Sequence, residues 1–411
     1  MIGAVLGDAP WRSDPALLRL FAVLGGGEGL TRIVGGAVRD TLSGHRVTDI
    51  DLATKLLPDD VVTRLSAAAI KAVPTGIAHG TITAVADGHV FEVTTLRRDV
   101  ATDGRRATVA FTDDWAADAA RRDFTINALY ADPVSGEVFD PTGGLADLAA
   151  HRVRFIGDAA ARIDEDHLRI LRYFRFHARF GSGEADAETL AIIAARAARL
   201  RSLSRERIAD ELLKLMALAD PVPALRLMLD ANLFAHMVPE VDAGAIAALG
   251  RLVAAEAAAG LPPDPVRRLI ALLPTDPARA TLVAARLKLS KRIGKRITAA
   301  RCAVAEHDPR ALAYALGREA AIDRALLSGD AAARLAALDD WRVPLLPISG
   351  GDIVALGVRA GPEVARILKA VEAQWVAEGF PDVARARAIA RVFSSAVEPA
   401  NGQENTGNGG Q

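Results

Sequence analysis

An α+β head followed by an all-α remainder is the fold class this sequence predicts, and three observations predict it. Residues 31 to 155 are rich in β-branched side chains and turn signals. From about Asp164 the text changes: Ala, Leu and Arg dominate, with apolar residues at 3.6 spacing. Gly and Pro in that second part fall mainly between the periodic segments, where they end and start helices.

Taken in order, helical periodicity appears over 14–24, 37–43, 58–71 and 118–130. RIVGG, TDIDLAT, GTITAVADGHVFEVTTLR and GEVFDPTGG read as strands and hairpins, and ADGH (86–89) as a tight turn between two of them. Together these make a small mixed sheet with helices. About a dozen helical stretches follow, up to residue 393, with no convincing strand. Breaks fall at GSGE (181–184), DPVP (220–223), GLPPDP (260–265), PTDP (274–277) and VPLLPISGGD (343–352). No fixed-period repeat is present. Residues 394–411 are polar and Gly/Asn-rich, and disorder is expected there.

The 411 residues are too many for one compact domain, and 51% hydrophobic residues supply a core. Fifty basic and 51 acidic residues leave a net charge of −1. A global basic field is therefore excluded, and nucleic-acid binding must use local patches. The single Cys302 excludes an intramolecular disulfide framework. The N-terminus has no basic n-region and Asp8 interrupts its apolar stretch, so it does not read as a signal peptide. No charge-free run approaches a membrane span. The expectation is a soluble, cytoplasmic protein.

Three constellations carry chemistry in the first part. IVGGAVRD (33–40) reads as strand, glycine pair, helix; Gly35 and Gly36 let the backbone turn tightly and approach a ligand. The free N–H groups of the following helix suit a phosphate, although glycine pairs also simply end strands. Asp49 and Asp51 share a face if both are in one strand. Paired hard oxygen ligands beside a phosphate cradle suit Mg²⁺; the plainer alternative is a polar strand end. Glu92 sits in FEVTTLR, an otherwise apolar or Thr-lined strand. A buried Glu needs a partner, which a metal shared with the two aspartates would supply, as would an ion pair with Arg97 or Arg98. Three carboxylates holding metal suit an in-line displacement that joins an RNA 3′-hydroxyl to a nucleotide and releases pyrophosphate.

GGAVRD…DIDLAT, HGTITAV, FEVTTLRRDVATDGRRATVAF, RRDFTINALYAD and EDHLRILRYFRFHARF, in that order, resemble the successive motifs of class II tRNA nucleotidyltransferases, the CCA-adding enzymes. Bacterial poly(A) polymerases share much of the pattern. The resemblance covers residues 30 to 240 well and the remainder only in helical character. It implies a head with the nucleotidyltransferase fold (1–155), a helical neck that reads the base (156–220), a tRNA-binding body (221–340) and a tail (341–393). It gives Asp49 and Asp51 the metal-ligand role, places Glu92 as the third catalytic carboxylate, and sets Gly35, Gly36 and Arg39 against the nucleotide.

The same resemblance makes Arg122, Asp123, Asn127 and Arg172 nucleotide-binding. On a helix Asp123 and Asn127 would be one turn apart; Asp123 could equally be an N-cap beside solvated arginines. In EDHLR, the residues Glu165, Asp166 and Arg169 would lie on neighbouring rows of one helix. They read either as a surface ion pair or as a protein template for bases. A carboxylate accepts from cytosine N4 or adenine N6 but repels uracil O4 and guanine O6, and Arg169 donates to the ring acceptors of C and A. Asp103, Gly104 and Arg105 mark a turn whose family counterpart is a flexible lever for switching from C to A. RLKLSKRIGKRITAAR (286–301) carries Lys288, Lys291, Arg292, Lys295 and Arg296 without an acid, which suits an RNA backbone or a solvated helix face. His307-Asp308 reads as a helix-end feature, not the seed of a hydrolase domain, since the eight histidines form no ligand cluster around it.

The expected activity is Mg²⁺-dependent addition of C, C and A to a tRNA 3′ end from CTP and ATP, by a monomer or a dimer. Poly(A) synthesis and partial A-adding or CC-adding activity are the alternatives within the family. A catalytically inactive RNA-binding protein is the alternative outside it.

Overall fold

The computed structural model describes residues 5–102, 107–302, 308–329 and 331–396. The chain divides into two compact units, Met1–Ala247 with Pro263–Pro265, and Ala248–Pro262 with Val266–Gln411.

The first unit opens with helix α1 (Pro15–Val23), started by Pro15 and capped by Asp14, which accepts from the Ala16 and Leu17 N–H groups. Strand β1 (Thr31–Val34), helix α2 (Gly36–Leu42), β2 (Asp51–Thr54), α3 (Pro58–Ala67), β3 (Lys71–Gly76), β4 (Thr81–Ala86) and β5 (His89–Thr95) follow. Then come β6 (Arg97–Thr102), β7 (Ala107–Phe111), α4 (Trp115–Ala120), β8 (Tyr130–Ala131), β9 (Val138–Phe139) and α5 (Gly144–Ala149). Seven strands form one sheet in the order β3-β4-β5-β2-β1-β8-β9, and β6-β7 form a separate ribbon. The sheet is mixed: β2 and β5 run parallel, and the other neighbours antiparallel. The β4–β5 turn places both Asp87 and Gly88 at positive φ, as a two-residue hairpin loop requires.

Alternation sets the two faces of the sheet. Ile33, Leu52, Ile82 and Val93 join Leu17, Leu20, Val61 and Leu65 of α1 and α3 in one buried cluster. Their strand neighbours Val34 and Ala53 join Leu96, Ala119, Ala128 and Tyr130 in a second, smaller one. Burying each such leucine or isoleucine contributes roughly 1.5–3 kcal/mol.

From Ala159 onward every regular element among the described residues is helical. In the first unit these include α6 (Ala159–Glu165), α7 (Leu168–Phe180), α8 (Ala187–Arg196) and α9 (Arg205–Met216). Helix α7 buries Tyr173, Phe174, Phe176 and Phe180. It packs on a β-bridge between Phe124 and Phe155, with Phe124 5.3 Å from Phe176 and Phe155 5.8 Å from Tyr173.

The second unit buries an ionic network. Glu256 accepts from Arg267 Nη1 at 2.9 Å and Arg268 Nε at 2.7 Å. Asp323 accepts from Arg267 Nε at 3.0 Å and Arg296 Nε at 2.7 Å. No helix among the described residues is long and apolar enough to cross a membrane.

Two expected elements differ. The stretch 118–130 is not one helix: α4 ends at Ala120, a 3₁₀ turn covers Thr125–Asn127, and β8 begins at Tyr130. The Phe124–Phe155 bridge wins over the local periodicity. At the other end, Ser394 and Ser395 close the helix Val383–Ser395 instead of opening a disordered tail, and residues 397–411 lie outside the described residues.

Candidate active site

The strand register assembles the acidic centre. Val34 of β1 pairs with Asp51 of β2, and Asp51 pairs with Glu92 of β5. In-register neighbours on adjacent strands, about 4.8 Å apart, share a face. Val34, Asp51 and Glu92 therefore form one row, and Gly35 follows directly at its end. Asp49 precedes β2 by two residues, so the shared-strand argument for the pair does not apply to it. Glu92 is also not buried: Phe91 and Val93 point into the core and Glu92 points out. Asp49, Asp51 and Glu92 are all exposed to solvent.

The Asp51 carboxyl is nonetheless pushed up to about 6. Desolvation by surrounding protein is the larger cause; Glu92 and Asp49 add like-charge repulsion, and Arg122 opposes it. A position where two carboxylates destabilise a third is one where a cation gains. Among the described residues no three His, Cys, Asp or Glu side chains already enclose a metal position. Mg²⁺ fits such a half-built site, because it is normally completed by substrate phosphates and water.

Gly35 adopts φ 68°, ψ −113°, and its N–H donates to Leu129 O at 2.9 Å. A Cβ there would lie 3.4 Å from Asn127 O and 3.7 Å from Arg122 Nη1. Helix α2 is only seven residues long, so positive charge at the turn comes chiefly from arginines. Arg122 Nη2 is held by Asp118 Oδ2 at 3.0 Å, and Tyr130 OH donates to the same oxygen at 2.7 Å. Burial alone would raise the Asp118 carboxyl, but Arg122 and Arg121 outweigh it and hold it down at about 2.

A second chain of contacts runs from the turn to α7. Arg39 Nη1 donates to Asn127 Oδ1, and Arg39 Nε to Asp40 Oδ1 at 2.8 Å. Asn127 Nδ2 donates to Asp123 Oδ1 at 2.9 Å, and Asp123 Oδ2 accepts from Arg172 Nε at 2.7 Å. Asp123 is buried, which raises its carboxyl; Arg172 and Asn127 more than reverse this and lower it. Asp123 and Asn127 thus meet across a turn and not along a helix face. Asp123 caps no helix; its Oδ1 accepts the Phe124 N–H at 2.9 Å. Asp40 Oδ2 in turn accepts from Arg179 of α7 at 2.9 Å.

The EDHLR segment is also broken. Glu165 ends α6, Asp166 is extended at φ −149°, and Arg169 lies in α7. The Glu165–Arg169 pair survives at 2.5 Å across that break, and Arg169 also donates to the Arg162 and Arg121 carbonyls at 2.7 and 3.2 Å. Only 12% of the Arg169 side chain is exposed, so this is no surface ion pair. Asp166 is held elsewhere: Oδ1 accepts the Leu168 N–H at 3.1 Å and Oδ2 accepts from Arg207 of α9 at 2.8 Å.

Asp118, Arg207 and Glu211 were not singled out from the sequence. Asp118 stands three and four residues before Arg121 and Arg122, a spacing that flags it. Glu211 lies on the apolar side of α9 and accepts from Arg175 Nε at 2.6 Å; an acid on an apolar face is its signal.

In the second unit, helix Lys291–Arg301 exposes Lys291, Arg292 and Lys295, and Lys288 is exposed just before it. Arg296 instead turns inward to Asp323, which accounts for it as a structural cation. Asp308 caps the helix Pro309–Leu316, as a helix-end feature should. His307 and the turn residues Asp103, Gly104 and Arg105 lie outside the described residues; β6 and β7 flank that turn.

Residues 31–154 match the family described as Poly A polymerase head domain, and residues 184–244 the family described as probable RNA and SrmB-binding site of polymerase A. The chain is 36% identical over 368 residues to the mitochondrial CCA tRNA nucleotidyltransferase 1 of Mus musculus, covering 85% of this chain and 83% of that one. The Homo sapiens counterpart is likewise 36% identical, over 369 residues, with 85% and 83% covered. The Bacillus stearothermophilus CCA-adding enzyme in complex with CTP superposes with a TM-score of 0.66 at 27% identity, covering 89% of this chain and 94% of that one. The Thermotoga maritima CCA-adding enzyme complexed with tRNA shares the fold, with a TM-score of 0.65 at 20% identity over 94% and 97% of the two chains. Identity of 36% over more than four fifths of both chains, together with the matched head model, means that the chain belongs to the CCA tRNA nucleotidyltransferase and poly(A) polymerase family.

Proposed function

We propose that the chain is a CCA-adding tRNA nucleotidyltransferase, transferring C, C and A from CTP and ATP to a tRNA 3′ end. The observation that carries the reaction type is the row Val34–Asp51–Glu92 ending in the Gly35 turn. The 3′-hydroxyl gives up its proton to solvent and its oxygen bonds to the α-phosphorus as the bond from that phosphorus to the β-phosphate oxygen breaks, and pyrophosphate leaves. Asp49 and Asp51 would hold Mg²⁺, which when bound supplies charge neutralisation at the reacting phosphate. Glu92, paired in register with Asp51, adds the third carboxylate. Gly35 and Gly36 leave space for the triphosphate, and Arg122 and Arg39 approach that turn. Asp123, Asn127 and Arg172 tie it to α7.

Residues 156–220 form the neck in this reading, where Asp166 accepts the exocyclic amine of C or A and Arg169 donates to the ring. Glu165 holds Arg169 for that task. Uracil and guanine place an acceptor against Asp166 and are rejected, because a buried unpaired or repelled acceptor costs about 1–3 kcal/mol. Lys288, Lys291, Arg292 and Lys295 in the body (221–340) bind the tRNA backbone. The same motifs would serve poly(A) synthesis, which the family description of the head keeps as the second reading. The relatives in mouse and human are named as mitochondrial, and a cytoplasmic location for this chain is a proposal.

One assay tests this: tRNA lacking CCA, labelled CTP and ATP, with and without Mg²⁺. Two C and one A added only with Mg²⁺ is the expected result. Long A tracts on unrelated RNA would move the assignment to polyadenylation, and no incorporation to an inactive RNA-binding protein.

A further inference from the structure

We propose that Arg207 is the positioning residue that sets the Asp166 carboxylate at the angle from which it rejects uracil and guanine. The inference rests on the reading of Asp166 as the acceptor for the base.

Asp166 sits in the break between α6 and α7, at φ −149° and ψ 104°, outside the regular backbone of either helix. Two donors fix its side chain. The Leu168 N–H takes Oδ1 at 3.1 Å, and Arg207 Nη2 takes Oδ2 at 2.8 Å. A donor on each oxygen fixes the carboxylate plane, and with it the directions of the remaining lone pairs. Arg207 is itself anchored in the first turn of α9, where its N–H donates to Ser204 Oγ at 3.4 Å. The other nearby arginines are committed elsewhere: Arg172 binds Asp123 through Nε at 2.7 Å and Nη2 at 2.5 Å. Arg169 is bound to Glu165. Arg207 is therefore the side chain that orients Asp166.

Orientation matters more for rejection than for acceptance. An amine can follow a carboxylate that rotates. A carbonyl acceptor is excluded only while the carboxylate cannot turn away or admit a bridging water. Loss of Arg207 is thus expected to raise use of the wrong bases more than it lowers use of the right ones.

The test measures kcat/KM for CTP against UTP, and for ATP against GTP, on tRNA acceptors of the correct length. Arg207→Ala is expected to lower both ratios at least tenfold, with tRNA affinity and thermal midpoint near the parent. Arg207→Lys, which can reach the same oxygen, is expected to recover part of the ratio; Arg207→Gln serves if the alanine variant does not fold. Unchanged ratios in Arg207→Ala, or an equal loss with all four nucleotides, overturn the proposal. Asp166→Ala run alongside separates the two levels. If it lowers the ratios while Arg207→Ala does not, Arg207 alone is wrong. If neither does, the base-reading role of Asp166 fails with it.

Discussion

Asp51, a metal ligand in the proposed function, sits where the surrounding protein disfavours its charge. Its carboxyl is raised to about 6 by desolvation and then by Glu92 and Asp49. Asp51→Asn removes that repulsion. It is expected to abolish incorporation of both C and A, by 10³-fold or more, without lowering the thermal midpoint in EDTA. Solvent screening of this exposed group limits any gain to about 1 kcal/mol. Retained activity would place the metal ligands elsewhere. Asp118 is the opposite case. Its carboxyl is depressed from 3.8 to about 2, so its contribution is present above pH 4 and lost as pH falls from 4 to 2. The shift corresponds to about 2 kcal/mol. Asp118→Asn is expected to lose about that much at pH 7 and to flatten the acid limb of a stability–pH curve between 4 and 2. An acid limb unchanged from the parent would count against it. At Gly35, φ is positive and ψ is −113°, a region open essentially to glycine alone. Gly35→Ala is expected to cost about 1–3 kcal/mol in denaturant titration and to raise the KM for both nucleotides, because the positive φ strains an L side chain although the new Cβ has room 3.4 Å from Asn127 O.

Elements with their own turn chemistry were legible in the sequence: the Asp87-Gly88 hairpin, the helix end at Asp308 and the glycine turn all rest on local preferences. In the head and neck, one misread segment was decided by a distant partner and another by a local one. RRDFTIN has helical spacing, but Phe124 pairs with Phe155 and packs on α7, which draws the chain out of helix. EDHLR has i,i+4 spacing between Glu165 and Arg169, but the Asp166 side chain bonds the Leu168 N–H and starts a new helix there. An Asp directly before an apolar run was the available signal. The Asp123–Asn127 and Glu165–Arg169 contacts expected from the spacing form even so, because neither needs one continuous helix. Asn127 illustrates this: from a 3₁₀ turn it donates to Asp123 and accepts from Arg39. Asn127→Ala removes both hydrogen bonds, so KM is expected to rise severalfold for CTP and ATP alike, with the ratio between correct and wrong bases kept. A change in base preference instead would assign Asn127 to base reading.

Across the whole chain, 50 basic and 51 acidic residues nearly cancel, so the distribution of charge matters more than its sum. The second unit separates two uses of arginine and lysine. Arg267, Arg268 and Arg296 are turned inward onto Glu256 and Asp323, both almost fully buried. Lys288, Lys291, Arg292 and Lys295 remain on the surface. Sequence alone could not sort Arg296 from Arg292, since both belong to one basic run; only the position of Asp323, far along the chain, separates them. The two groups therefore answer differently to substitution. Replacing Lys291, Arg292 and Lys295 by Glu is expected to weaken tRNA binding at least tenfold and leave the thermal midpoint near the parent. The slope of log K against log salt should become shallower by roughly 0.7–0.9 for each RNA phosphate that the variant no longer neutralises. Asp323→Ala strands buried arginine charge and is expected to cost about 3–5 kcal/mol of stability. Filter binding over a salt series together with thermal melts checks both halves. If the surface triple variant binds tRNA with the parent's salt slope, the basic helix is a solvated face and the tRNA backbone is held elsewhere.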